Sequence, residues 1–242
     1  MRKTLRKDNR LLKMAQISYN LLKINEKINN AAVRAGRNPD SVRLVTVSKS
    51  VGPECVREAF DCGQIEFAEN RVQKLMEKQE ALSDINDNLK WHLIGQLQTN
   101  KIKYCAGKVV LIHSIDRIKL AEELGKYAVK NNIIIHGLIE INGGDEESKT
   151  GMDVRDVDAF LEAMQNVKGL EIEGLMTMAP LGADESLLHK IFSETRTLSE
   201  RIAAMKLDNV RMNELSMGMS GDFEAAVEEG ATICRIGTAC FA

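Results

Sequence analysis

No apolar run in this 242-residue chain approaches the ~20 residues that a membrane span needs. The N-terminus has no apolar core of the kind a secretion signal carries. Positive charge is not in excess: 33 Lys and Arg stand against 35 Asp and Glu, a formal charge of −2. No overall field therefore draws the chain onto nucleic acid or acidic lipid. The basic run Arg2, Lys3, Arg6, Lys7, Arg10 and Lys13 opens a helical pattern and reads as a solvated helix face. The five cysteines, Cys55, Cys62, Cys105, Cys234 and Cys240, are an odd number and contain no C-x-x-C pair. That spacing argues against a disulfide framework or a zinc site, and for free thiols in a reducing compartment. The histidines, His92, His113, His136 and His189, lack the H-E-x-x-H spacing, so no metal site is expected. These absences point to a cytoplasmic protein with no nucleic-acid or membrane partner.

What is there is alternation. Short β-branched and apolar runs are expected as strands near 43–49, 65–68, 90–94, 109–113, 133–142, 170–178, 210–215 and 232–236. Helical patterns fill the intervals, most of them closed by Gly or Pro. Eight β/α repeats in this length predict a parallel sheet closed into a (β/α)8 barrel, an α/β fold. The runner-up is an open doubly wound sheet, but the Gly-x-Gly-x-x-Gly expected after its first strand is absent. Residues 5 to about 36 predict one or two further helices packed on the barrel, with Leu11, Leu12, Ile17, Leu21, Leu22, Ile24 and Ile28 at helical intervals. No linker or composition shift marks a second domain, so residues 1–242 are read as one domain with 1–40 as its helical extension.

The first strand ends on Val47-Ser48-Lys49, and Gly52-Pro53 breaks the pattern after it. Ligands of parallel α/β folds bind at the carboxyl ends of the strands. A lysine there loses its proton when desolvated and can attack an aldehyde. A lone strand-end lysine is more often a solvated surface residue. The other strand ends change that weighting. They bring Asn70, His92, Gly95, His113, Asn142, Met176–Met178 and Ser216 to the same face of a barrel, with the run 235–238 from the last strand. After the seventh strand, Ser216-Met217-Gly218-Met219-Ser220-Gly221-Asp222 leads into a helix, where backbone N–H groups can point at an anion. After the eighth, Arg235-Ile236-Gly237-Thr238 offers a close-approach glycine and a hydroxyl. Those two loops are the usual phosphate site of this barrel. A phosphate-bearing carbonyl compound fits a lysine opposite them. Met176, Met178, Met217 and Met219 read as barrel packing, His113 and His136 as packed or hydrogen-bonded, Trp91 as core, and Cys234 and Cys240 as buried thiols.

With these residues laid out, the chain resembles the pyridoxal 5′-phosphate homeostasis proteins (the YggS/PROSC kind), whose fold is similar to the N-terminal barrel of alanine racemase. The resemblance rests on Val47-Ser48-Lys49, 69–73, 91–101, His113-Ser114-Ile115-Asp116, Ser148-Lys149-Thr150-Gly151, 174–178, 215–220 and 235–239. It implies that Lys49 carries pyridoxal 5′-phosphate (PLP) as a Schiff base and that Arg235 faces the pyridine nitrogen. It implies that Ser216, Ser220, Gly237 and Thr238 hold the phosphate. Asn70 and His92 would lie beside the ring, and Lys149 on a loop that contacts cofactor in transit. Two departures are visible: Gly221 replaces a polar residue, and the chain ends at Phe241-Ala242, where a Phe-Gly pair is common.

Three functions share these features. The first is a non-catalytic PLP carrier in intracellular homeostasis, a monomer that hands cofactor to apo-enzymes. The second, the alternative, is a PLP-dependent amino-acid racemase. The third is a Schiff-base aldolase without cofactor. The resemblance implies that a racemase takes its second base, a tyrosine, from an additional domain. Here Tyr19, Tyr104 and Tyr127 all fall in predicted helices. Arg235 is a donor-only cation and would leave the pyridine nitrogen unprotonated, which weakens an electron sink. The carrier reading is therefore preferred, with no catalytic residue assigned.

Overall fold

Eight short runs rich in β-branched and apolar residues pair in parallel, each with the next in sequence, and the last returns to the first. The computed structural model describes residues 2–143 and 150–242, with side chains from Leu12 onward. The strands are β1 (Arg43–Val47), β2 (Glu66–Glu69), β3 (Lys90–Leu93), β4 (Leu111–Ile115), β5 (Ile135–Asn142), β6 (Leu170–Met178), β7 (Val210–Ser216) and β8 (Ile233–Ile236). Arg43 to Thr46 register against Ile233 to Ile236, which closes the barrel and excludes the open sheet.

The helices between strands are α2 (Pro53–Asp61), α3 (Val72–Ala81), α4 (Ile102–Cys105), α5 (Ile118–Asn131), α6 (Val157–Met164), α7 (Glu185–Ala204) and α8 (Phe223–Glu228). Before the barrel runs α1 (Arg2–Arg34), and after it α9 (Thr238–Phe241). Four residues in α9 are too few to cover β8 and β1. Instead α1 packs against α2, α8 and α9, and so takes the position of the eighth outer helix. Ile17, Leu21, Ile24, Ile28, Ala31 and Ala32 form its buried stripe. Leu12 and Leu22, read from periodicity as part of that stripe, face solvent. One helix spans the region, and Gly36 ends it with a φ of +68°, a conformation that glycine adopts without strain.

Two cores separate cleanly. Val45, Val47, Ala68, Leu111, Leu138, Met176 and Ile233 pack inside the barrel. A larger cluster, with Trp91 and Phe67 at a ring-centroid distance of 5.9 Å, lies between strands and helices. The barrel interior therefore sets the parity of each strand: side chains two apart share a face.

One strand departs from expectation. The pattern predicts a strand over 109–113, ending at His113; β4 is Leu111–Ile115. Val110 is half-exposed, and its N–H already bonds the Trp91 carbonyl. A register irregularity between Ile112 and Ile115 carries the strand onward. His113 is thus mid-strand and fully buried. Among the described residues, no helix is long and apolar enough to cross a membrane.

Candidate functional site

Val45 and Val47 point into the barrel, and β1 ends at Val47; Lys49 follows in the turn at the carboxyl end of the strand, on the mouth side of the barrel. Lys49 is exposed and makes no hydrogen bond or ion pair among the described residues. The expected desolvated amine is therefore not observed: neither turn nor helix covers it. Its neighbour Ser48 is fully buried on the other face. There a network unseen in the sequence holds it. Lys78 on α3 donates to the Ser48 carbonyl at 2.6 Å and pairs with Glu69 at very short range. Ser48 Oγ donates to Glu69 Oε1 at 2.7 Å. All three side chains are buried. The carbonyl just before Lys49 is thereby tied to α3 and β2.

Beside β1, the register sets Arg235 against Val45, below the strand end that leads to Lys49. Its guanidinium is 4 % exposed, and burial lowers its pKa to about 10. Arg235 donates to Ser216 Oγ at 2.7 Å and to the Thr177 carbonyl at 2.9 Å. Two of its five N–H donors are so engaged. Ser216 Oγ also lies 2.9 Å from His113 Nδ1, and His113 Nε2 lies 2.9 Å from His92 Nδ1.

These contacts bear on two of the expected cofactor neighbours. The Ser216 hydroxyl is fully buried and bonded to Arg235 and His113. His92 is not beside the mouth. It registers with Ala68 and Leu111, a layer below Lys49 and Asn70, and its other nitrogen faces Glu66 at 3.4 Å. Strand spacing alone cannot show which inward layer a residue occupies.

The two loops of the expected phosphate site come together. The backbone N–H groups of Ser220, Gly221, Gly237 and Thr238 make no hydrogen bond among the described residues. Ser220 and Thr238 are exposed, and open space surrounds the Cα of Gly221. Asp222 accepts from Met219 N–H at 2.5 Å and fixes the first loop. A Cβ on Gly237 would meet the Val47 carbonyl oxygen at 2.9 Å, so only glycine brings this turn so close to β1.

Asn70 ends β2 on the inward parity of Glu66 and Ala68, half-buried. A Cβ on Gly95 would come within 2.1 Å of the Asn70 carbonyl oxygen, which explains a glycine at the end of β3. A small cavity of about 160 Å³ opens at the ends of β5 to β7, between Asn142, Thr150, Met178 and Met219. Lys149, expected on this side, lies outside the described residues.

Glu140 was missed by sequence reasoning. It is 2 % exposed, on the inward face of β5, and accepts from Thr150 Oγ1 at 2.7 Å. Burial raises its pKa above the ordinary carboxylate value, against the Thr150 bond and the Arg235 charge. The folded chain then holds a proton that the unfolded chain releases, so ionising Glu140 erodes stability as pH rises through its raised value. Glu140→Gln is expected to raise Tm by roughly a few degrees at pH 8, with the gain vanishing near pH 4. Thermal melts across that range check it; a gain confined to acid pH has the wrong sign.

At the opposite end of the barrel, His136, Glu171 and Glu173 could offer metal ligands. Arg211 already lies 2.8 Å from Glu171 and 3.7 Å from Glu173, and neutralises them. The five thiols are free; burial raises Cys234 and Cys240 to about 12 and Cys105 to about 11, so they are unreactive.

Residues 17–242 match the alanine racemase, N-terminal domain family. A pyridoxal phosphate homeostasis protein of Aquifex aeolicus (strain VF5) is 45% identical over 221 residues, 91% of this chain and 95% of that one. One from Escherichia coli (strain K12) is 36% identical over 229 residues, 94% of this chain and 97% of that one. PipY of Synechococcus elongatus PCC7942, solved with PLP bound, superposes with a TM-score of 0.80 at 35% identity, over 93% of this chain and 100% of that chain.

Proposed function

Because the chain belongs to the pyridoxal phosphate homeostasis proteins, within the alanine racemase N-terminal domain family, we propose that it binds PLP through a Schiff base on Lys49. It buffers, protects or delivers the cofactor inside the cell, without robust turnover. One observation supports this reading: a strand-end lysine shares a barrel mouth with a buried guanidinium that has spare donors and with four N–H groups unpaired among the described residues. When bound, the cofactor supplies an aldehyde that condenses with an amine.

The chain's own residues divide the work. Lys49 provides the amine. The N–H groups of Ser220, Gly221, Gly237 and Thr238, with the two hydroxyls, hold the phosphate. Arg235 directs a remaining N–H at the pyridine nitrogen and, as a donor only, leaves no proton there. Asn70 lines the side of the ring. Ser216 and His92 act from below, through Arg235.

Non-catalytic handling is favoured by what surrounds the mouth. Tyr19 is exposed on α1, Tyr127 sits on α5, and Tyr104 on α4 stands near Lys101 and Lys103, at 5.7 and 4.9 Å from its ring centroid. None is on a strand end, where a second acid–base group would face Lys49. Lys49 is open to solvent, which suits exchange with a recipient apo-enzyme.

Two assays test the proposal. Loaded protein is expected to activate an apo-PLP enzyme even with a trap for free cofactor present. Alanine labelled with α-deuterium is expected to keep its label. Loss of label at enzyme-like rates, abolished in Lys49→Ala, would overturn the carrier reading in favour of a racemase.

A further inference from the structure

Glu66 and His113 touch none of the groups assigned to cofactor, yet with His92 they fill the barrel interior below Arg235. Burying two imidazoles and a carboxylate is costly unless each finds a partner. Here the partners form a single line. Arg235 Nη1 is 2.7 Å from Ser216 Oγ, and Ser216 Oγ is 2.9 Å from His113 Nδ1. His113 Nε2 is 2.9 Å from His92 Nδ1. His92 Nε2 stands 3.4 Å from Glu66 Oε2, an ion-pair approach without hydrogen-bond alignment, and has no other partner among the described residues.

The proton on each link follows from its ends. A guanidinium only donates, so Ser216 Oγ accepts from Arg235. At the far end Glu66 is a carboxylate. Burial pulls it up, but the His92 bond and Arg43 outweigh burial and hold it below its ordinary value. A carboxylate accepts, so His92 must present Nε2–H to it. Burial lowers both histidines, His113 well below its ordinary value, so each ring is neutral and owns one proton. With the His92 proton on Nε2, its Nδ1 accepts, and His113 must donate from Nε2. His113 Nδ1 then accepts the Ser216 hydroxyl proton. Every donor points the same way, from a cation at the mouth to an anion near the other end. The reverse order would turn a lone pair of His92 toward Glu66.

The groups that face this line are few. Arg43 of β1 lies 3.5 Å from Glu66 and 2.6 Å from Glu214 of β7. Lys90 of β3 lies 3.5 Å from Glu66. At the mouth, Glu140 of β5 and Asp222 add their field at Arg235.

We propose that His113 and His92 are positioning residues: a one-way hydrogen-bond chain from Arg235 through Ser216 and His113 to His92, oriented by the nearby Glu66 carboxylate, fixes the Arg235 guanidinium at the ring of the bound cofactor. The line of contacts stands on geometry, and its proton order on geometry together with the burial of the two rings; its effect on PLP rests on the proposed function.

Two experiments separate those levels. Nitrogen-15 NMR of the cofactor-free protein is expected to show both imidazoles neutral, with the proton on Nε2, at neutral pH. A cationic ring or an Nδ1–H tautomer at either position would overturn the chain, whatever the protein binds. In loaded protein, His113→Phe is expected to keep the borohydride-trapped link on Lys49. It should release PLP roughly tenfold faster and alter the pH profile of the visible absorption band. His113→Gln offers one donor and one acceptor, and should restore much of both. If His113→Phe does not fold, the same readouts on His113→Gln and His92→Gln decide, through intermediate release rates. Release and pH profiles matching wild type in folded variants would overturn the positioning role. A wild-type protein that traps no PLP would instead sink the proposed function and leave the NMR result to judge the chain.

Discussion

On the proposed function, replacing Lys49 by alanine is expected to abolish the borohydride-stable adduct and to weaken PLP retention by on the order of a hundredfold. The covalent link goes, while Arg235 and the unpaired N–H groups remain to hold the phosphate and ring by hydrogen bonds alone. Arginine at the same position does no better, because a guanidinium does not give up its proton to become a nucleophile. Stability should change by less than about 0.5 kcal/mol, since Lys49 is exposed and has no partner among the described residues. Gel filtration of the loaded protein, followed by measurement of retained PLP, checks the binding; thermal melts check the fold. Undiminished adduct in Lys49→Ala would move the link to another lysine.

The largest loss of stability is expected at Lys78, a residue with no part in the chemistry. Lys78 and Glu69 are buried together; Lys78 and Ser48 both bond Glu69 Oε1, and Oε2 has no hydrogen-bond partner among the described residues. Lys78→Met removes the cation and leaves a buried carboxylate alone, which costs about 3–5 kcal/mol. For a chain of this length that is a fall in Tm of roughly ten degrees. The double variant Lys78→Met, Glu69→Leu should regain most of the loss, because two apolar groups need no partner. Lys74→Met on the exposed face of the same helix is the control, expected within about 0.5 kcal/mol of wild type. Lys78→Met also frees the Ser48 carbonyl that precedes Lys49, so the yield of trapped adduct should fall with stability. Denaturant melts of wild type, Lys78→Met, Glu69→Leu and the double variant form the cycle, with Lys74→Met beside it. Equal melting of Lys78→Met and Lys74→Met would show that the buried pair contributes nothing.

The strand–helix alternation was legible because each strand is short and apolar, and β6 falls on the residues that its pattern predicts. Closure was readable only as a count of eight repeats; the contact that makes it, β1 on β8, joins residues almost two hundred apart. β4 was misplaced because Val109 and Val110 look like strand but precede the ladder. The positions of Lys49, Asn70 and Arg235 were legible from parity and strand order. What Ser216 and His92 touch was not, because the answer depends on which side chain stands across the barrel at the same height. Glu140 and Lys78 were invisible for the same reason: a lone acid or a helix lysine carries no sign that it is buried.

The most direct test is a mass. Cofactor-saturated protein is reduced with borohydride, digested and mapped. A single pyridoxyl phosphate on the peptide that contains Lys49, with the other lysines unmodified, is the expected result. An unmodified Lys49 peptide after saturation, or label spread evenly over exposed lysines, would contradict a dedicated amine at this barrel mouth.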